Sequence, residues 1–254
     1  MNLLLEELQV IIVGGTKGIG LAIAKGFLKE GAVVHIISRK KSKLISQELN
    51  QNFLGKVYFY NADATNKVSL SAALESILVN AKGIIDVLVA NVGNGSGSND
   101  SIISEEEWNN SWEVNFSSAF NTVSVFAPEI INSKGSILFI SSIAGMEFLG
   151  APTSYSVAKS ALISLSKSLS YKFAPDVRVN VVAPGNILIE NGSWDLKQRD
   201  NPKFIQKMLN EKVPLKRFGS AEEVANLVLF LSSEKASFIT GSCFVVDGGQ
   251  TISF

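Results

Sequence analysis

Val10-Ile11-Ile12-Val13-Gly14-Gly15-Thr16-Lys17-Gly18-Ile19-Gly20-Leu21 is the stretch whose reading decides the fold. Four apolar, β-branched residues in succession suit a strand buried on both faces. They run directly into a glycine-rich turn. After it, Leu21, Ile23, Ala24, Phe27 and Leu28 recur at helical spacing until Gly31 ends the pattern. The turn can be read as a tight βα connection or as a phosphate site. In the second reading Gly14, Gly18 and Gly20 let the backbone approach a pyrophosphate, and the helix N-terminus offers free N–H groups and a partial positive charge. The spacing is Gly-x3-Gly-x-Gly, not the Gly-x-Gly-x2-Gly of the usual dinucleotide pattern.

Outward from this unit the same alternation continues to the end of the chain. Strands are expected at Val33–Ile37, Val57–Tyr60, Ile84–Val89, Ser136–Ile140, Val177–Val182 and Cys243–Val246. Helical patterns lie between them at residues 42–52, at 67–81, from Glu105 to about Pro128, from Pro152 onward, and at 221–231. Seven strands alternating with helices predict an α/β fold, a doubly wound parallel sheet of Rossmann type. No linker or solenoid-period repeat interrupts it, so residues 1–254 are expected to form a single domain. Residues 186–217 are more polar and read as an insertion over the site, with a helix at 201–212.

Composition narrows the function classes. The 254 residues can bury one large core, and 46% apolar content fits a soluble enzyme. With 23 basic residues against 23 acidic, nothing global points to nucleic acid or an anionic membrane as a partner. Cys243 is the single cysteine, so no internal disulfide can form, which suits a reducing cytoplasm. Leu3-Leu4-Leu5 is followed at once by Glu6 and Glu7 and lacks a basic region before it. It is expected to be neither a signal peptide nor a span. No metal site is expected.

The chemistry-bearing residues gather at strand ends. The second strand closes at Ser38-Arg39-Lys40, where sheets of this kind meet an adenosine ribose. A carboxylate there would hold a free 2′-hydroxyl. Instead Arg39 and Lys40 stand there, with Lys17 in the glycine turn; they form either a solvated basic loop or a seat for a 2′-phosphate. His35, inside that strand, reads as a core or half-buried residue. The fourth strand opens onto Ala90-Asn91-Val92-Gly93 and a glycine–serine loop to Asn99, at the edge where ligands bind. Asn115 sits in mid-helix, where asparagine is mildly unfavourable and invites a reason. Trp108, Trp112, Phe116 and Phe120 form a stripe on the same helix, read as core or subunit contact. Tyr155 and Lys159 are four apart on one helix face. They are either surface neighbours or a catalytic pair, in which the ammonium favours the phenolate and draws the phenol from about 10 toward the working range.

The combined pattern resembles the short-chain dehydrogenase/reductase family over nearly the whole chain. The elements are Gly14-x3-Gly18-x-Gly20, Asp63, Ala90-Asn91-Val92-Gly93, Asn115, Ser142, Tyr155-x3-Lys159, Pro184-Gly185 and Asp247-Gly248-Gly249, with Ser142 thirteen residues before Tyr155. The resemblance implies a tetrad. Tyr155 would be the acid in reduction and Ser142 would position the carbonyl oxygen. Lys159 would lower the Tyr155 pKa and bind the nicotinamide ribose, and Asn115 would hold a water linking Lys159 to solvent. For the cofactor it implies Gly14, Thr16, Lys17, Gly18, Ile19 and Gly20 at the first turn, with Ser38 and Arg39 at the ribose. Asp63 and Ala64 would lie at the adenine, and Asn91, Val92 and Gly93 after the fourth strand. Tyr155, Lys159, Pro184, Gly185 and Ile187 would complete the set. Val13, Ala90, Val92 and Ile189 depart from the family's commonest residues; Ile189 stands where a threonine often binds the carboxamide.

The expected function is therefore NADP(H)-dependent hydride transfer between nicotinamide and a small carbonyl or alcohol substrate, with NAD the less favoured cofactor. Narrower alternatives are a 3-oxoacyl-carrier-protein reductase and a sugar-nucleotide-type reductase; residues 186–217 carry seven basic residues against four acidic, a net +3 that would suit an anionic carrier or equally a solvated helix. A non-catalytic cofactor sensor is a third class, against which the intact Ser142, Tyr155 and Lys159 speak. A cytoplasmic homo-oligomer, a tetramer, is expected, paired through the aromatic-stripe helix, the Tyr155 helix and the apolar C-terminus Thr251-Ile252-Ser253-Phe254.

Overall fold

The computed structural model describes residues 2–40, 43–98 and 102–253. Residue 42, Asn99 and Phe254, which the sequence reading put in a helix, a loop and the apolar tail, lie outside the described residues. The chain runs β1 (Gln9–Val13), α1 (Gly18–Lys29), β2 (Val33–Ser38), α2 (Lys43–Gln51), β3 (Lys56–Asn61), α3 (Lys67–Asn80) and β4 (Val87–Ala90). It continues through α4 (Glu105–Trp112), a π-helical turn (Glu113–Ser117), α5 (Ser118–Asn132), β5 (Ser136–Ile140), α6 (Thr153–Phe173) and β6 (Arg178–Pro184). Last come β7 (Ile187–Leu188), α7 (Ser193–Asp200), α8 (Pro202–Lys212), β8 (Gly219–Ser220), α9 (Ala221–Ser232) and β9 (Cys243–Val246).

Seven strands form one parallel sheet in the order β3-β2-β1-β4-β5-β6-β9. The expected doubly wound architecture is what the chain adopts. Successive strand residues feed opposite faces. Val10, Ile12, Val87, Val89, Leu138 and Ile140 pack with α1 and α9. Their neighbours Ile11, Val13, Leu88, Ala90, Ile137 and Phe139 pack with α3, α5 and α6. That two-sided demand explains why the strands read as unbroken apolar runs. The strand order reverses between β1 and β4, which opens a crevice at their C-terminal ends.

Beyond shifts of one or two residues at strand ends, three features differ from expectation. The fourth strand starts at Val87 rather than Ile84, because Lys82 and Gly83 have positive φ and Ile84 N–H closes a turn onto Ala81 O. Ile85 is nevertheless buried, hence the apolar run. The expected helix from Glu105 is broken by the π-helical turn and then passes through Pro128 to Asn132. Residues 186–217 hold α7 as well as the expected α8; no residue of α7 is buried, so no apolar stripe marked it.

His35 is fully buried on β2, and its partners set its protonation. Gln9 Oε1 lies 3.0 Å from Nε2, and Tyr60 Oη lies 3.1 Å from Nδ1 and accepts from Asn80 Nδ2 at 2.9 Å. An amide oxygen can only accept, so Nε2 carries the proton and Nδ1 receives the Tyr60 hydroxyl. The ring is neutral, and burial lowers its pKa to about 4. An unfolded histidine titrates near 6.5, so the unfolded chain binds the proton first as pH falls. Stability from this site should be intact above about pH 6.5 and decline until about pH 4, by about 2 kcal/mol at pH 5. Urea unfolding of the wild type and His35→Phe at pH 7 and pH 5 checks this. The variant should lose that increment of pH dependence, whatever its absolute stability.

Candidate active site

The first wall of the crevice is the turn after β1. Gly14 N–H donates to Ile37 O at 2.9 Å, and Gly14 and Gly18 adopt φ of +88° and +55°. A Cβ on Gly20 would stand 2.2 Å from Gly14 O, so the turn closes only with glycine there. No side chain caps α1, and its first N–H groups are open toward the crevice. Such a turn fits a pyrophosphate: close backbone approach, open donors and the positive end of the helix dipole. Asn91 makes the turn rigid by donating Nδ2 to Gly14 O at 2.9 Å, while its own N–H donates to Val13 O.

At the end of β2, Arg39 is exposed and has no ion-pair partner among the described residues. The Ser38 hydroxyl donates to Lys40 O at 2.9 Å, so it must rotate before it can donate to a ligand. The register of β1 on β2, with Val13 beside Ile37, sets Ser38 next to the glycine turn. Asp63 follows β3 and accepts from Thr65 N–H and Oγ1 at 3.0 and 2.9 Å. Asn121, buried in α5, holds this corner by donating to Thr65 O at 2.9 Å and Ala64 O at 3.3 Å. The sequence reading missed Asn121. The signal was available, since it is a second mid-helix asparagine like Asn115.

The opposite wall is built from the β5–α6 connection and α6. Ser142 caps the short 3-10 turn Ile143–Gly145, its Oγ accepting from Ala144 N–H. Ser141 Oγ donates to Lys159 O at 2.8 Å and ties the end of β5 to α6. Lys159 is buried, donates Nζ to Ile140 O at 3.0 Å, and lies 5.8 Å from the Tyr155 ring centroid. Burial lowers its ammonium to about 8. The half-buried Tyr155 phenol is raised above its ordinary value by burial, and hydrogen bonding to Ser142 offsets part of the rise. The sequence led to the expectation that the ammonium draws this phenol down; in the structure burial raises it and the opposing pull comes from Ser142.

Asn115 lies buried in the π-helical turn, which gives its place in mid-helix a reason. Its Oδ1 accepts Asn94 N–H at 2.8 Å, and its Nδ2 donates to Asn94 O and Ser111 O, each at 3.0 Å. It thus grips the loop after β4. On the far side, Pro184 ends β6, Gly185 N–H donates to Val246 O, and Ile187 is buried in β7. Ile189 extends over the glycine turn, 3.2 Å from where a Cβ of Gly18 would be. Ile205, Leu209 and Val213 form a small separate core within the insertion, with Trp194, Met208 and Phe218 packed against it.

The sequence-derived residues therefore lie at or after the C-terminal ends of six strands, β1 to β6, along one edge of the sheet. Among the described residues no group of His, Cys, Asp or Glu could hold a metal, and no helix is long and apolar enough to cross a membrane. Residues 13–251 match the family model described as enoyl-(acyl carrier protein) reductase. The chain is 37% identical to the 3-oxoacyl-[acyl-carrier-protein] reductase of Chlamydia muridarum, covering 98% of this chain and 100% of the relative. It is 36% identical to an uncharacterized oxidoreductase of Bacillus subtilis, covering 98% of each. A crystal structure of L-sorbose reductase from Gluconobacter frateurii, complexed with NADPH and L-sorbose, superposes with a TM-score of 0.91 at 31% identity over 100% of both chains. A 3-oxoacyl-[acyl-carrier protein] reductase from Brucella melitensis with bound NAD superposes with a TM-score of 0.85 at 29% identity, over 98% of this chain and 92% of that one. This chain belongs to the short-chain dehydrogenase/reductase family and is an oxidoreductase that interconverts carbonyl and CH–OH groups.

Proposed function

We propose that the chain is an NADP(H)-dependent reductase of a small carbonyl compound, with Asn115, Ser142, Tyr155 and Lys159 as its working set. The observation that carries this reading is a juxtaposition at α6: the Tyr155 phenol lies within hydrogen-bond reach of Ser142, and the buried Lys159 Nζ lies 5.8 Å from the Tyr155 ring centroid. When bound, the nicotinamide supplies the hydride. Tyr155 gives its proton to the carbonyl oxygen, and Ser142 holds that oxygen by hydrogen bond. Lys159 reaches the nicotinamide ribose, and Asn115 keeps the route from Lys159 to solvent open. The first turn, with Gly14, Thr16, Gly18, Ile19 and Gly20, takes the pyrophosphate. Asp63 and Ala64 meet the adenine, Asn91, Val92 and Gly93 the ribose side, and Pro184, Gly185 and Ile187 the carboxamide side. Lys17, Ser38 and Arg39 take the 2′-phosphate, and residues 186–217 cover the substrate.

Two substrate classes have support. The Chlamydia relative's name points to a 3-oxoacyl thioester of a carrier protein, and the Gluconobacter neighbour's to a ketose. The basic excess of residues 186–217 is reduced from +3 to +2 by the pairing of Arg217 with Glu223, and what remains suits a solvated helix as well as an anionic carrier. NADPH oxidation with a panel of ketoses, simple ketones and 3-oxoacyl thioesters tests the function. Turnover of at least one, with the alcohol as product, is expected; NADPH binding with no turnover of any would favour a sensor.

A cytoplasmic homotetramer is part of the same reading. Trp108 (37% exposed), Phe120 (43%) and Val157 (41%) present apolar surface on α4, α5 and α6, and Phe238 and Ile252 do so near the C-terminus. Light scattering should give four times the protomer mass at micromolar concentration; a clean monomer would refute it.

A further inference from the structure

The loop Gly93-Asn94-Gly95-Ser96-Gly97-Ser98 alternates glycine with small polar residues, and all three glycines face α6. A Cβ on Gly93 would stand 2.9 Å from Lys159 Nζ, and one on Gly97 would stand 2.9 Å from Pro152 Cβ. One on Gly95 would touch the Tyr155 ring at 3.8 Å. Residues 152, 155 and 159 lie on one face of the helix start. None of the three glycines has positive φ; close approach argues for glycine at 93 and 97, whereas a Cβ on Gly95 would leave ordinary contact distance to the Tyr155 ring. The main chain lies flat along the side of α6 that carries Tyr155 and Lys159.

Two clamps keep it there. Asn115 grips Asn94 through both main-chain groups, as described above. At the other end Ser98 N–H donates to Glu107 Oε1 at 2.7 Å, a charge-assisted bond. Glu107 is itself fixed in the first turn of α4, where Ser104 Oγ accepts its N–H at 3.1 Å. Between the clamps, Asn94 Oδ1 accepts from Ser96 N–H and Oγ, and the edge of the loop away from α6 is exposed and polar. This edge runs beside the Tyr155 ring at Gly95.

We propose that Glu107 is a positioning residue: its carboxylate anchors the Gly93–Ser98 loop against the Tyr155 face of α6, and the anchored loop forms one wall of the substrate site. This rests on Tyr155 as the proton donor. The side chain of Glu107 acts through the loop and is not a catalytic residue.

Hydrogen exchange and kinetics of Glu107→Ala and Glu107→Gln test it on the full chain. In Glu107→Ala, amides of residues 93–98 should exchange faster, and KM for the carbonyl substrate should rise about tenfold, with the NADPH Kd and Tm unchanged. Glu107→Gln retains an acceptor for Ser98 N–H and should restore both readouts to near the wild type. Wild-type exchange and KM in Glu107→Ala, or a glutamine variant no better than the alanine one, would overturn the proposal. If instead Tyr155→Phe stays active, the donor assignment fails, and the exchange result still reports on the clamp.

Discussion

Tyr155→Phe should lower turnover by about 10²- to 10⁴-fold, the usual worth of a positioned acid, while NADPH binds as before. The substitution is narrow. Phenylalanine keeps the ring against the glycine loop, Ser142 keeps its bond from Ala144 N–H, and Lys159 keeps its bond to Ile140 O. What goes is the hydroxyl, the proton donor, with its hydrogen bond to Ser142. Retention of more than a few per cent of activity on the true substrate would remove Tyr155 from that role. The pH profile carries a matching expectation. With the phenol raised, the proton is available at neutral pH, so reduction should run well there. Activity should fall as pH rises through about 8, where Lys159 loses its charge. Oxidation of the alcohol needs the phenolate and should instead gain from rising pH.

The second large effect concerns cofactor choice. Arg39 is exposed, unpaired by any described carboxylate, and stands where no acid is available to hold ribose hydroxyls. A 2′-phosphate there gains charge-assisted and bidentate hydrogen bonds from the guanidinium. Each such bond contributes on the order of 1.5–3 kcal/mol, so one or two favour NADPH over NADH by roughly ten- to a thousand-fold. Ser38 adds less than its position suggested, because its hydroxyl must first leave Lys40 O. Arg39→Asp should erase the preference or invert it. Titrations with NADPH and NADH decide the matter: equal dissociation constants in the wild type would reduce the cluster to solvated surface.

Much of the fold was legible because the inner strands β2, β1, β4, β5 and β6 are covered on both faces and read as largely apolar runs, whereas the edge strands β3 and β9 are only partly covered. The site was legible where a residue broke a local rule. Glycines at 14, 18 and 20 and Asn115 in mid-helix each flagged a position that the structure uses. What stayed hidden depends on tertiary placement. Glu107 reads as one acid in an acidic first turn until the Ser98 N–H is found upon it. Asn121 carried the same mid-helix signal as Asn115, but its partners, Ala64 O and Thr65 O, are known only once that corner is seen beside α5. The direction of the Tyr155 shift was also misjudged. Spacing revealed the nearby ammonium but not the depth at which the phenol is held.

The central claim is that this chain moves hydride from NADPH to a carbonyl carbon with Tyr155 supplying the proton. Reduction of an accepted ketone with NADPH deuterated at both nicotinamide C4 positions tests it directly, with the product examined by mass spectrometry. The wild-type product should carry one deuterium on the carbinol carbon, and Tyr155→Phe should give almost no product. NADPH consumption without deuterium on that carbon, or an equal yield from the variant, would contradict it.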